Sequence, residues 1–143
     1  LVPKVRATCV YTCLLHNIHA CISRGANMIF FVEKDSETAK ILNKNIVTLG
    51  VESKAKVEIE EIKKFLDKKN NEKFDFFFLD PPFLNNNLVE DLLLIKQKRI
   101  YKTNHLIIIH REKNSTDSLK KIIDPLIVKN YGRSKIIFGR FLS

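Results

Sequence analysis

The chain has 143 residues, 45% of them hydrophobic, which is enough for one ordinary core and too apolar for an intrinsically disordered segment. No uninterrupted run of 18 apolar residues occurs, which excludes a helical membrane span. The formal charge of +9 is unevenly placed: residues 1–91 hold 13 basic and 13 acidic side chains, residues 92–143 hold 12 basic and 3 acidic.

In chain order, the first 22 or so residues differ in character from the rest of the chain. The stretch Cys9–Ile22 is largely apolar, but His16, Asn17 and His19 interrupt it and no small-x-small site comes after it, so it does not read as a signal peptide. The expected setting is the cytoplasm. Cys9, Cys13 and Cys21 are odd in number and read as reduced thiols. Helical spacing would put Cys9, Cys13 and His16 on one face, yet the spacing is not that of a zinc ribbon or finger. No metal site is expected, and the segment reads as a helix or loop with buried thiols.

Met28–Glu33 is a short apolar strand. Ser36 suits the N-cap of a helix that places Ala39, Ile41, Leu42, Ile46 and Leu49 on its apolar side, and Gly50 suits its C-cap. Val57–Ile59 is a brief strand, followed by a lysine-rich helix carrying Ile62, Phe65 and Leu66. Phe74–Leu79 is apolar enough for a fully buried parallel strand. A helix opens at Asn85-Asn86-Asn87 and runs to about Ile100; Leu106–Ile109 is the next buried strand. Ser115 or Thr116 starts a helix to about Ile122. Leu126–Asn130 and Ser134–Leu142 flank Tyr131-Gly132-Arg133 as a hairpin. Alternating strand and helix predicts a single α/β domain over residues 1–143, its sheet mostly parallel and closed by a C-terminal antiparallel hairpin.

The most informative residues are Asp80-Pro81-Pro82-Phe83, which come directly after the buried strand, at the end where open α/β sheets place their ligands. Proline fixes φ and lacks an N–H, so the carbonyls around it are held as acceptors. An exocyclic amine of a nucleobase offers two N–H donors and a flat face. Asp80 and the Pro81 carbonyl can accept from that amine while the Phe83 ring stacks on the face, with Pro82 holding the loop shape. The same residues would also serve as a turn that ends a strand.

The Asp-Pro-Pro-Phe run resembles the (D/N/S)PP(Y/F/W) motif of amino-methyltransferases. Upstream, Ser23-Arg24-Gly25-Ala26 with Val32-Glu33-Lys34-Asp35 resembles the "SRGA…VEKD" segment of the bacterial 16S rRNA guanine-N2 methyltransferases. The resemblance continues through Ala39–Asn45, Leu49-Gly50, Ala55-Lys56-Val57, Phe65-Leu66, Phe78–Phe83 and Tyr131-Gly132, covering roughly residues 22–143. It implies a Rossmann-like methyltransferase sheet, S-adenosylmethionine as cofactor, and ribosomal RNA of the small subunit as partner. It further implies that Glu33, at the end of the second strand, accepts from the ribose hydroxyls, and that Glu61 matches the position that accepts from the adenine amine. Asp80, Pro81, Pro82 and Phe83 would then be the catalytic residues. Asp35 reads as a helix-start charge.

One departure stands out. The family carries a glycine-rich turn after its first strand, whereas this chain reads Val10–Ile22 there with no glycine before Gly25. The Arg-, Pro- and Thr-rich segment that precedes it in the family is absent or reduced to Val2–Arg6. Side chains at such a turn hold the backbone away from a ligand, so a truncated or degenerate member with weak or no cofactor binding is expected. The basic surplus after residue 92, led by Lys96, Lys98, Arg99 and Lys102, predicts an RNA-phosphate footprint. Two functions are consistent with these features: methyl transfer to the exocyclic amine of guanine in small-subunit ribosomal RNA, or a non-catalytic RNA- or ribosome-binding remnant of that family.

Overall fold

A computed structural model describes residues 5–10, 22, 25–69, 72–81 and 87–143. Seven strands form one sheet: β1 (Val5–Val10), β2 (Ala26–Val32), β3 (Ala55–Glu58), β4 (Phe74–Leu79), β5 (Tyr101–Glu112), β6 (Ile123–Tyr131) and β7 (Ser134–Phe141). Among the described residues, three helices join them: α1 (Ser36–Leu49), α2 (Ile62–Lys68) and α3 (Leu88–Lys98). The sheet order is β3-β2-β1-β4-β5-β7-β6. Strands β1 to β5 are parallel, and β7 runs antiparallel to both β5 and β6. The expected α/β sheet with a closing hairpin is therefore present.

The start of the chain corrects the sequence reading. Val5–Val10 is an interior strand, paired with β2 on one side and β4 on the other, so Cys9 lies on a strand. The helical spacing that put Cys9 with Cys13 and His16 does not hold at its first member. Cys13, His16, His19 and Cys21 lie outside the described residues.

Strand alternation divides the core between the two faces of the sheet. Ile29 and Phe31 of β2 pack with Leu42 and Ile46 of α1. Phe30 and Val32 face the opposite way, with Phe65 and Leu66 of α2, Leu92 and Ile95 of α3, and Phe77 and Leu79 of β4. Phe30, Phe65, Phe74 and Phe77 are linked by ring contacts with centroids 5.8–6.2 Å apart. Burying each ring stabilises by about 1.5–3 kcal/mol, and each ring contact adds about 0.5–1.5 kcal/mol. This apolar block anchors β4 and so fixes where its carboxyl end emerges.

The caps of α1 differ by one residue from expectation. Asp35, not Ser36, is the N-cap, its carboxylate accepting from the Thr38 N–H at 3.0 Å, and Gly50 closes the helix at φ 67. Asp35 thus has the helix-start role read from sequence.

No helix forms between Ser115 and Ile122, contrary to expectation. Geometry explains why. Gly139 of β7 lies opposite Ile107 and Phe141 opposite Ile123, so β6 begins near the level of His105. The chain leaves β5 at Glu112 and must travel back about seven residue rises, roughly 23 Å, in ten residues. Seven helical residues would supply only about 10 Å of that. The connector is instead tied to the sheet by Arg111, which is 3% exposed and donates from Nε and Nη2 to the two Asp117 carboxylate oxygens at 2.8 and 3.1 Å. A buried guanidinium without a partner costs several kcal/mol, so this ion pair outweighs local helix preference.

The hairpin depends on Gly139. A Cβ there would lie 2.5 Å from Ile123 Cγ2 and 2.8 Å from the Asp124 carbonyl oxygen. Only glycine lets β6 and β7 approach across the irregular register between Pro125 and Ile127. Strand β6 forms the outer edge, with Leu126, Ile127, Val128 and Tyr131 exposed. Among the described residues, no helix is long and apolar enough to cross a membrane.

Candidate active site

From β1 the chain runs outward to β2 and β3, then returns to the other side of β1 as β4. This reversal opens a crevice at the carboxyl ends of the strands, the place where doubly wound sheets bind ligands. Val10 of β1 is in register with Val32 and with Leu79, so Glu33 and Asp80 each lie one residue beyond the strands that flank β1. At two inter-strand spacings their backbones stand roughly 10 Å apart. Two carboxylates thus border one crevice from opposite sides.

Glu33 is 8% exposed, and one of its oxygens accepts from the Asp35 N–H at 3.0 Å. Its own N–H donates to the Glu58 carbonyl at 3.0 Å, which extends the β2–β3 ladder and holds the carboxylate at the crevice edge. One strand further out, Glu61 is the exposed N-cap residue of α2 and makes no side-chain cap bond. Its neighbours Glu58 and Glu60 face Lys68 Nζ at 3.8 and 2.7 Å. That ion pair separates three acids which the sequence alone left equivalent, and it leaves Glu61 outside.

Asp80 is half-buried and Pro81 buried at the end of β4. Pro82 and Phe83 lie outside the described residues. Asp80 Oδ1 stands 3.0 Å from Nδ1 of His110 on β5. The two residues are one step beyond the register pair Leu79 and Ile109, so strand pairing brings them together. The sequence reading missed His110. The signal that would have found it is register: a polar residue one step past Leu106–Ile109 has to meet the residue one step past Phe74–Leu79.

The basic cluster is not at this end. Helix α3 starts beyond the motif loop and runs back along the sheet, and Tyr101, the first residue of β5, is opposite Phe74, the first residue of β4. Lys96, Lys98, Arg99 and Lys102 therefore lie about six strand residues, roughly 20 Å, from Asp80. Lys98 Nζ is 2.6 Å from Asp67 Oδ1, and this bond holds the Asp67 carboxyl below its ordinary range. Lys102 Nζ is 2.9 Å from Asp75 Oδ2. Lys96 and Arg99 line a cleft of about 760 Å³ with Lys73, Leu93, Gln97 and Tyr101. Arg99 caps α3 with φ at 52, a left-handed conformation that costs a residue with a Cβ ~1 kcal/mol or more.

His105, also on β5, is a structural histidine. It is 4% exposed; Nδ1 is 2.7 Å from the Lys102 carbonyl oxygen and Nε2 accepts from the Phe141 N–H at 3.0 Å. These partners require the neutral ring with the proton on Nδ1. Burial lowers its pKa, as does the positive charge of Arg140, while the bond to Lys102 opposes them.

This sheet order is that of a Rossmann-like methyltransferase fold, with a carboxylate just beyond the carboxyl ends of β2 and β4. The family model described as "Conserved hypothetical protein 95" matches residues 18–140, and the chain belongs to that family. Over 95 residues it is 36% identical to the ribosomal RNA small subunit methyltransferase D of Haemophilus influenzae, covering 65% of this chain and 49% of that protein. The protein of the same name from Buchnera aphidicola is 28% identical over 95 residues, with 66% and 49% covered. The chain thus spans about half the length of the curated relatives it matches. Among solved structures, a candidate methylase of Haemophilus influenzae superposes with a TM-score of 0.80 at 28% identity, covering 98% of this chain and 81% of the other. A ribosomal protein L11 methylase of Lactobacillus delbrueckii subsp. bulgaricus shares the fold at a TM-score of 0.72 and 14% identity, with 99% and 72% covered.

Proposed function

We propose that this chain is an S-adenosylmethionine-dependent methyltransferase site for the exocyclic amine of guanine in small-subunit ribosomal RNA. The observation that carries the reading is the pair of carboxylates, Glu33 and Asp80, set on either side of β1 at the crevice of a fold shared with methylases. The names of the curated relatives support the ribosomal substrate.

Glu33 fits the cofactor's ribose. It is acidic and buried at the end of β2, with its carboxylate steadied by a backbone N–H. Hydrogen bonds from hydroxyls to a charged acceptor contribute about 1.5–3 kcal/mol each. Glu61, exposed at the start of α2, would accept from the adenine amine. When bound, the cofactor supplies an electrophilic sulfonium methyl group. Asp80 and the Pro81 carbonyl accept from the target N–H₂ and favour a pyramidal nitrogen whose lone pair points at the crevice. Phe83 stacks on the extruded base. Orientation supplies most of the rate, and a strong base is not required.

The second reading, a non-catalytic RNA-binding remnant, is favoured by the absence of glycine before Gly25 together with the cationic cleft at the other end of the sheet. Titration calorimetry with S-adenosylhomocysteine separates the two. Side chains where the family carries glycine hold the backbone away from a ligand, so affinity near millimolar is expected, lost in Glu33→Ala. Methyl transfer to small ribosomal subunits at saturating cofactor completes the test. No heat at any concentration, with RNA binding intact, would establish the remnant instead.

A further inference from the structure

We infer that His110 is a positioning residue, which orients the Asp80 carboxylate for the target amine; the inference rests on the methyltransferase reading. Three observations lead to it. Nδ1 of His110 lies 3.0 Å from Asp80 Oδ1, and the two side chains are 31% and 18% exposed. They sit at the carboxyl ends of neighbouring parallel strands, one step past Leu79 and Ile109, so the backbone fixes their separation. The other described histidine of the same strand, His105, has both ring nitrogens engaged by backbone groups far from the crevice. Of the two, only His110 meets a side chain with a chemical task.

A carboxylate rotates easily about its last torsion, whose preferences are broad. An acceptor that must meet an amine in one orientation gains from a donor that holds one oxygen. Since an ionised Asp80 can only accept, Nδ1 of His110 carries the proton in the bond between them. The Nδ1–H donor then fixes the plane of the carboxylate. The imidazole touches the motif residue and not the base, so it acts through Asp80.

The test combines kinetics with an observable independent of activity. In single-turnover methyl transfer to small ribosomal subunits, His110→Ala should lower the rate ~10–100-fold, while KM for the subunit and affinity for S-adenosylhomocysteine stay within about 2-fold. His110→Asn should recover most of the rate, because its amide N–H occupies the place of Nδ1–H. A purely structural role would lower folding stability and show no such recovery. Alanine turning over like the wild type, or asparagine no better than alanine, would overturn the inference. Independently, nitrogen NMR of the His110 ring should show a proton on Nδ1 in the wild type and lose that preference in Asp80→Ala. A ring with no proton on Nδ1 in the wild type would overturn the pairing itself. A wild-type chain that transfers no methyl group while Nδ1 does carry the proton would instead overturn the methyltransferase reading beneath it.

Discussion

The two ends of β5 carry opposite chemistry. At its carboxyl end, His110 faces Asp80 across from Glu33, and an acid-lined crevice opens at the reversal of strand order. At its amino end, Lys96, Arg99, Lys73 and Tyr101 line a cationic cleft, and His105 is locked into the packing. The lesson is that distance along the chain misleads on a wound sheet. Lys96 to Lys102 come soon after the motif loop in sequence, but α3 carries them back by the length of a strand.

The sharpest way to break this comparison is Asp80→Ala. Losing a positioned acceptor should cut methyl transfer ~10²–10³-fold in single-turnover assays, about 3–4 kcal/mol of transition-state stabilisation, while calorimetric cofactor affinity changes little. Normal turnover would reduce the Asp-Pro-Pro-Phe loop to a strand-ending turn.

The two histidines offer the next test. His105→Ala removes a buried ring and two backbone hydrogen bonds, and should cost about 2–4 kcal/mol in denaturant unfolding. His110→Ala, at a half-exposed position, should cost about 1 kcal/mol or less. Equal losses would erase the distinction between a structural and a site histidine.

At the cationic end, replacing Lys96, Lys98 and Arg99 with Glu should weaken ribosomal RNA binding and flatten its salt slope by about one unit per lost phosphate contact. Among the single variants, Lys98→Glu should have the smallest effect, because Asp67 already engages that ammonium. An unchanged slope in the triple variant would remove the RNA footprint from this end.

The smallest effect concerns pH. His105 has a lowered pKa in the folded state, so between that value and 6.5 the unfolded chain binds more protons than the folded one. Its stabilising effect is fully present above 6.5 and declines as pH falls below that. Melting temperatures at pH 7.5 and 5.5 should show this loss in the wild type and less of it in His105→Gln.

Local rules made much of the fold legible. The apolar runs of β2 and β4, the cap at Gly50 and the turn at Tyr131-Gly132 each depend on neighbours within a few residues. Asp80 and Glu33 could be placed because each comes directly after a recognisable strand. What remained hidden depends on contacts distant in sequence. Val-Arg-Ala-Thr-Cys-Val is an unremarkable hexapeptide, and it becomes an interior strand because β2 and β4 supply hydrogen-bond partners on both sides. Ser115-Thr116 looks like a helix start, but the span back to β6 and the demand of buried Arg111 for Asp117 keep the connector from forming a helix. The meeting of His110 with Asp80, and the separation of Lys96 and Arg99 from both, result from the register of β4 against β5. Local pattern determined most of the elements and set Asp80 at a strand end, and the family resemblance singled out Glu33. Only the tertiary structure decided which side chains share an end of the sheet, because strand pairing is set by long-range packing and not by neighbouring residues.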